Sequence, residues 1–190
     1  MKKILLIIIL TLAIFQMVTL ATDIYIGWPA IERGTSLGAY TTINNNSANE
    51  SGIINSVEIW ANVDLTNCEV ATFFNVSGTI FSTRDYEYIG AVEKDAKRTF
   101  VVNLNVQAGD YIGMYYTAGN IERDNAGCDG MWIKSGDNIP CTDISFSYYA
   151  TSAISLYGTG TTVVGWDHKW NTQTISKWNT KEFTKWNGLE

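Results

Sequence analysis

Thr99-Phe100-Val101-Val102-Asn103-Leu104-Asn105-Val106-Gln107-Ala108-Gly109-Asp110-Tyr111-Ile112-Gly113-Met114-Tyr115-Tyr116 changes character at almost every residue until it meets a turn. Phe100, Val102, Leu104 and Val106 fall on one parity, Thr99, Val101, Asn103 and Asn105 on the other. Successive side chains of an extended backbone point to opposite faces, so this period of two predicts a strand with a buried face and a wetter one. Gln107-Ala108-Gly109-Asp110 has the composition of a turn: Gly reaches positive φ without steric cost and Asp bonds nearby backbone. Beyond it, Tyr111 to Tyr116 resumes as a strand with Ile112 and Met114 on one face and aromatics on the other.

The same period recurs on both sides. Ile24, Ile26 and Trp28 alternate with Asp23, Tyr25 and Gly27, while Ile53, Val57, Ile59 and Ala61 oppose Ser56, Glu58 and Trp60. From Glu69 to Phe74 both parities are largely apolar, as expected of a central strand. Ile144, Phe146 and Tyr148, then Ile154 and Leu156, add two more strands before Gly158-Thr159-Gly160 ends the pattern. No stretch between residues 22 and 160 sustains a 3.6-residue period. Eight or so short strands joined by Gly, Asn and Asp turns predict an all-β domain. The expected form is a two-sheet antiparallel β-sandwich of jelly-roll type. Long parallel crossovers do not fit these spacings, which excludes an α/β enzyme fold.

The run Val106-Gln107-Ala108-Gly109-Asp110-Tyr111-Ile112-Gly113 resembles a hairpin of many secreted jelly-roll modules, in which Gly-Asp turns the chain into a core strand. Ile154-Ser155-Leu156-Tyr157-Gly158-Thr159-Gly160 is similar to their last strand. Residues 24–160 thus resemble extracellular β-sandwich modules of environmental microbes and phages, some of them grouped with carbohydrate-binding and lectin-like sandwiches. The resemblance implies a fold and a class of ligand; it carries no catalytic or ligand residue.

Ahead of this domain, Lys2 and Lys3 precede an apolar run from Ile4 to Phe15, and Thr19-Leu20-Ala21 offers small residues at a cleavage site. Residues 1–21 therefore read as a helical signal peptide, and the protein as secreted or cell-surface. Retained instead, the segment would anchor the chain in a membrane. Behind the domain, residues 161–190 hold an eight-residue repeat, with Lys-Trp-Asn at 169–171, 177–179 and 185–187. Eight is a multiple of two, so an extended tail places Trp170, Trp178 and Trp186 on one face, whereas a helix would scatter them. These indoles, with Asn171, Asn179 and Asn187, have the composition of a sugar platform or of a packed assembly surface.

Charge separates the segments. Residues 22–160 hold 7 Lys and Arg against 16 Asp and Glu, and residues 161–190 hold 4 against 3, so the tail is expected to be attracted to the domain. The formal charge of -6 over 190 residues excludes nucleic acid bound through its phosphates.

Three cysteines remain in the exported part. Cys128 and Cys141 bracket a loop-like segment, and a bridge between them is expected; Cys68 with Cys128 is the alternative. Closing a loop of about 13 residues would contribute roughly 3 kcal/mol on the chain-entropy account. Without a Cys-x-x-Cys spacing, zinc is not expected. The single His, His168, lies in the tail and cannot complete a Ser-His-Asp arrangement in the domain. Isolated carboxylates such as Glu58, Glu69 and Asp110 are expected to be ordinary strand and turn positions rather than a glycosidase pair.

Two further sites need naming. Glu122-Arg123-Asp124-Asn125-Ala126-Gly127-Cys128-Asp129-Gly130 reads as a loop able to hold Ca2+ through Glu122, Asp124 and Asp129, although it departs from the EF-hand pattern. No other cofactor is expected. Asn45, Asn49 and Asn75 begin Asn-x-Ser sequons that an exported protein would present to a glycosylating host. The function expected from these features is a secreted, non-enzymatic module that binds glycan or cell-surface polymer. The alternative is a structural subunit of an extracellular filament or surface layer, self-associating through the tail or through strand exchange at Asp23 to Trp28.

Overall fold

The computed structural model describes residues 21–162, and among them there is no helix. Thirteen strands form one hydrogen-bonded antiparallel sheet: β1 (Asp23–Gly27), β2 (Thr35–Leu37), β3 (Tyr40–Asn44), β4 (Gly52–Ser77), β5 (Ile80–Val92), β6 (Lys97–Val106), β7 (Tyr111–Tyr115), β8 (Ala118–Asp124), β9 (Met131–Ser135), β10 (Ile144–Ser145), β11 (Ser147–Tyr149), β12 (Ala153–Ile154) and β13 (Leu156–Thr161). The all-β expectation holds. Two separate sheets do not form, because every ladder connects through β4. The signal helix expected in residues 1–21 and the repeat tail both lie outside the described residues, save for their innermost positions.

β4 is 26 residues long and both of its edges are used. On one edge the chain turns back at Gly78-Thr79 and runs antiparallel to β4 along its whole length. β5 covers it from Ser77↔Ile80 to Leu65↔Val92, and β6 from Trp60↔Lys97 to Gly52↔Val106. On the other edge β13, β8 and β7 pair in turn with residues 53–59, 61–66 and 69–73. A strand of this length cannot stay straight over one core. Register shifts cluster between Ala61 and Glu69, where extra residues bend a strand and increase its twist. Asn67 sits there at φ 49°, a conformation that Asn tolerates better than most residues, with its Nδ2 donating to Thr117 Oγ1 at 3.0 Å. Gly119 of β8 crosses the same bend at φ 103°, and a Cβ there would lie 2.1 Å from the Asp64 carbonyl oxygen. Only glycine fits that crossing.

The bend lets the two ends of the sheet face each other across the main core. Ile24 and Ile26 of β1, Ile54, Val57 and Ile59 of β4, and Leu156 of β13 meet Val70, Ile112 and Met114 from the other half, all with at most 1% exposure. Alternation on β6 matches expectation: Val102, Leu104 and Val106 are buried while Val101, Asn103 and Asn105 are exposed.

A second core lies on the opposite face of β4, because β5, β4, β7, β3 and β9 curl into a closed ring. Residues 144–149 complete it, β10 pairing with β5 and β11 with β9, with Phe146 between them. Phe81 of β5 and Trp132 of β9 are four strand steps apart, which in a flat sheet is roughly 19 Å. Their ring centroids are 4.7 Å apart. Phe81 also packs edge-on against Phe146 at 5.9 Å and Tyr111 at 5.8 Å, and Ile43, Ala71, Phe73 and Ile139 complete this core.

Several expectations need correction. The Gly-Asp segment is a turn, with Gly109 at φ 89° and Asp110 N–H donating to the Gln107 carbonyl at 2.9 Å. It does not close a hairpin, since β6 and β7 pair with different stretches of β4 rather than with each other. All three cysteines are free. The expected Cys128–Cys141 bridge does not form, since the two cysteines are held against different parts of the chain. Cys128 N–H bonds the Thr151 carbonyl at 3.1 Å, whereas Cys141 N–H bonds Thr83 Oγ1 at 2.9 Å beside β5. The alternative with Cys68 does not form either, since that thiol is buried in the main core and Cys128 lies outside it.

Burial pushes the Cys68 thiol well above its ordinary range, with the nearby Glu69 adding to the shift. The Tyr116 phenol is raised likewise, chiefly by burial, and its hydroxyl lies 2.6 Å from the Leu37 carbonyl as donor. Both groups ionise earlier in the unfolded chain than in the folded one. Their contribution is therefore complete below about pH 8.5 and declines as pH rises through the ordinary thiol and phenol range. Urea denaturation between about pH 7 and 10 should show this decline, and Cys68→Ala should make it shallower. Phe81→Ala should lower the unfolding free energy by about 3–5 kcal/mol in the same assay. Val101→Ala, at an 89% exposed site, should change it by less than about 0.5 kcal/mol.

Candidate functional site

The ring of strands does not close evenly. β11 pairs with β9 through Ser147↔Ile133, Tyr148↔Trp132 and Tyr149↔Met131. Continuing that register would pair Phe146 with Lys134 and Ser145 with Ser135, but there the chain leaves β9 and joins β5 through Ile144↔Phe81 and Ser145↔Ile80. A groove of about 340 Å3 opens at this seam, lined by Tyr40, Ile133, Lys134, Ser135, Ser145, Ser147 and Tyr149. The volume is at the small end of ligand sites.

Strand register explains the lining. Residues paired across an antiparallel ladder share a face, so Tyr40 opposite Ser135 and Ser147 opposite Ile133 all point outward with Tyr149. Ile133 forms an apolar floor at 8% exposure, and the tyrosine rings stand exposed at 37% and 45% on opposite flanks of β9. Their partners on β9, Ser135 and Met131, are four residues apart, about 13 Å along the strand. Lys134 belongs to the other alternation. Its stem reaches into the gap, where Nζ donates to the Ser145 carbonyl at 3.2 Å. Rings, hydroxyls and one ammonium therefore face solvent over an apolar floor, a set suited to stacking on a ring and bonding its polar substituents.

The residues singled out from sequence lie elsewhere. Glu122 and Asp124 are in β8, not in a loop, because their polar atoms are taken up by distant chain. Glu122 is buried and accepts from Arg33 N–H and Asn62 Nδ2, both at 2.9 Å, while Asp124 pairs with the Arg33 guanidinium. Asp129 lies outside this network, its backbone carbonyl accepting from Tyr148 Oη and Asn45 Nδ2, both at 2.7 Å. No cluster of metal-ligating side chains occurs among the described residues. Asp110 is buried in the turn and bonded by Arg84 and by Gln107 N–H, a structural task. Glu58 pairs with Lys97.

The three sequon asparagines are engaged. Asn45 donates to Asp129 as noted, Asn49 Nδ2 to the Asp23 carbonyl at 3.1 Å, and Asn75 Nδ2 to the Gly78 carbonyl at 2.9 Å. A glycan on any of them would take one of the two hydrogens of that nitrogen. Trp170, Trp178, Trp186, Asn171, Asn179 and Asn187 lie outside the described residues. Sequence reasoning missed the groove, since Tyr40 and Tyr149 stand at opposite ends of the domain and meet only through ring closure.

Compared with models of known families, with curated proteins and with solved structures, the chain shows no match.

Proposed function

We propose that the protein is a secreted, non-enzymatic binding module that takes up glycan or cell-surface polymer in the groove between Tyr40 and Tyr149. The observation that carries this reading is the pairing of exposed tyrosines with Ser135, Ser145 and Ser147 over the Ile133 floor. Ring faces cover the apolar side of a pyranose and hydroxyls bond its edge. The lining holds no carboxylate, His or Cys. Glycoside hydrolysis needs two carboxylates flanking the bond, so recognition is the better fit. We read the bent sheet, whose halves face each other across the main core, as a jelly-roll-like sandwich. The tail's Trp repeat would add a second platform on the same kind of ligand.

Filament formation by strand exchange at β1 is the weaker reading. The outer edge of β1 is already covered: Asn49 bonds Tyr25 N–H at 2.7 Å and the Asp23 carbonyl at 3.1 Å, and Asn46 bonds both backbone groups of Gly27. An incoming strand would have to displace residues 46–49 first.

A glycan array probed with the full chain tests the proposal. Tyr40→Ala and Tyr149→Ala should each weaken the best interactions about tenfold or more, equivalent to about 1.4 kcal/mol, without lowering the thermal midpoint appreciably. Failure of the unmodified chain to retain any glycan overturns it.

A further inference from the structure

We infer that the groove selects an anionic saccharide, one bearing a carboxylate or sulfate, and that Lys134 is the residue that makes the selection. The inference rests on the glycan-binding reading and names the ligand class for the same groove.

Lys134 and Arg123 are the two cations among the described residues with no carboxylate partner, and of the two only Lys134 lines the groove. Lys94 pairs with Asp95, Lys97 with Glu58, Arg98 with Glu93, Arg33 with Asp124 and Arg84 with Asp110. Arg123 bonds the amide oxygen of Asn125. Among the described residues Lys134 is the one lysine without a carboxylate partner, and residues 22–160 offer 16 acidic side chains to 7 basic ones. In so acidic a domain an unpaired ammonium is the exception. Among the described residues, Nζ donates to the Ser145 carbonyl alone. An ammonium carries three donors, which leaves capacity for a ligand oxygen.

Placement supports the same conclusion. The Lys134 ammonium bonds the Ser145 carbonyl at 3.2 Å across the seam, which places the charge at the groove. The nearest acidic side chain in sequence, Asp137, accepts from the Ile139 N–H at 2.9 Å and does not line the groove. Ser135 and Ser147 add hydroxyl donors for the same kind of acceptor oxygens, whereas the Ser145 hydroxyl already shares a hydrogen bond with Thr79 Oγ1 at 3.2 Å. A lone cation among donors, with no lining carboxylate, is complementary to a negative group on a sugar ring. Because the surrounding domain is strongly acidic, long-range attraction does not help such a ligand, and the selection is local.

The test is a glycan array carrying neutral oligosaccharides beside the same scaffolds bearing uronic acid, sialic acid or sulfate, probed with the full chain and three variants. Anionic members should be retained at least tenfold better than their neutral counterparts. Lys134→Met, which keeps the stem, should bring retention of anionic members down to that of their neutral counterparts, and Lys134→Arg should restore most of the difference. Tyr149→Ala should weaken both classes. Preference for neutral glycans, or an unaltered anionic preference in Lys134→Met, overturns the inference and leaves the glycan-binding reading standing. Retention of no glycan of either class by the unmodified chain overturns both.

Discussion

Everything else in the structure depends on β4 being hydrogen-bonded along both edges while bending in the middle. The 26 residues from Gly52 to Ser77 run alongside β6 and β5 on one side and β13, β8 and β7 on the other. A straight strand of that length would span about 85 Å, far more than the diameter of a small domain, so the ladder must bend to enclose a core. The extra residues between Ala61 and Glu69 absorb the bend, and Gly119 lets β8 cross it within contact distance of the backbone. One sheet thereby provides both walls of the main core.

A bent sheet creates edges that must be covered, and side chains rather than further strands cover them. Asp85 and Glu87 of β5 accept hydrogen bonds from Asn105 and Asn103 N–H of β6, at 2.9 and 2.8 Å. Asn49 does the same for β1 by bonding the N–H and carbonyl that a neighbouring strand would take. These contacts satisfy backbone groups and block edge-to-edge association, the usual liability of exposed strands. They also give the charged and amide residues of this chain structural work, which is why few polar side chains remain for a site.

That division explains what the sequence did and did not disclose. β6 is legible because one of its faces is wet and the other dry, so alternation survives in the residue types. The apolar run from Val70 to Phe74 is legible as central because both faces are buried. β5 is not singled out from the sequence: the charges of Arg84-Asp85-Tyr86-Glu87-Tyr88 hide its structural work, in which Arg84 holds Asp110, and Asp85 and Glu87 cap β6. β8 misleads for the same reason, since Glu122 and Asp124 answer to Arg33, some ninety positions earlier. The partner of a buried charge cannot be read from its neighbours in sequence. Cys128 and Cys141 mislead differently, because separation by 13 residues says nothing of which parts of the chain hold them.

The groove follows from the same geometry. Closing β5 to β9 requires residues 144–149 to serve two ladders, and a single strand cannot lie flush against both along its whole length. Phe146 marks the change of partner. Its ring is drawn into the aromatic core, and its N–H bonds the Thr79 carbonyl at 2.9 Å instead of continuing along β9. On its β11 side this leaves β9 unpaired at Lys134 and Ser135, while β3 still pairs with both, so the lapse lies between tyrosines held by ladders on either flank. The aromatic core thus determines where pairing lapses, and the lapse determines where side chains can meet a ligand. A site built this way is fixed by strands rather than by loops, which suits recognition with little ordering cost on binding.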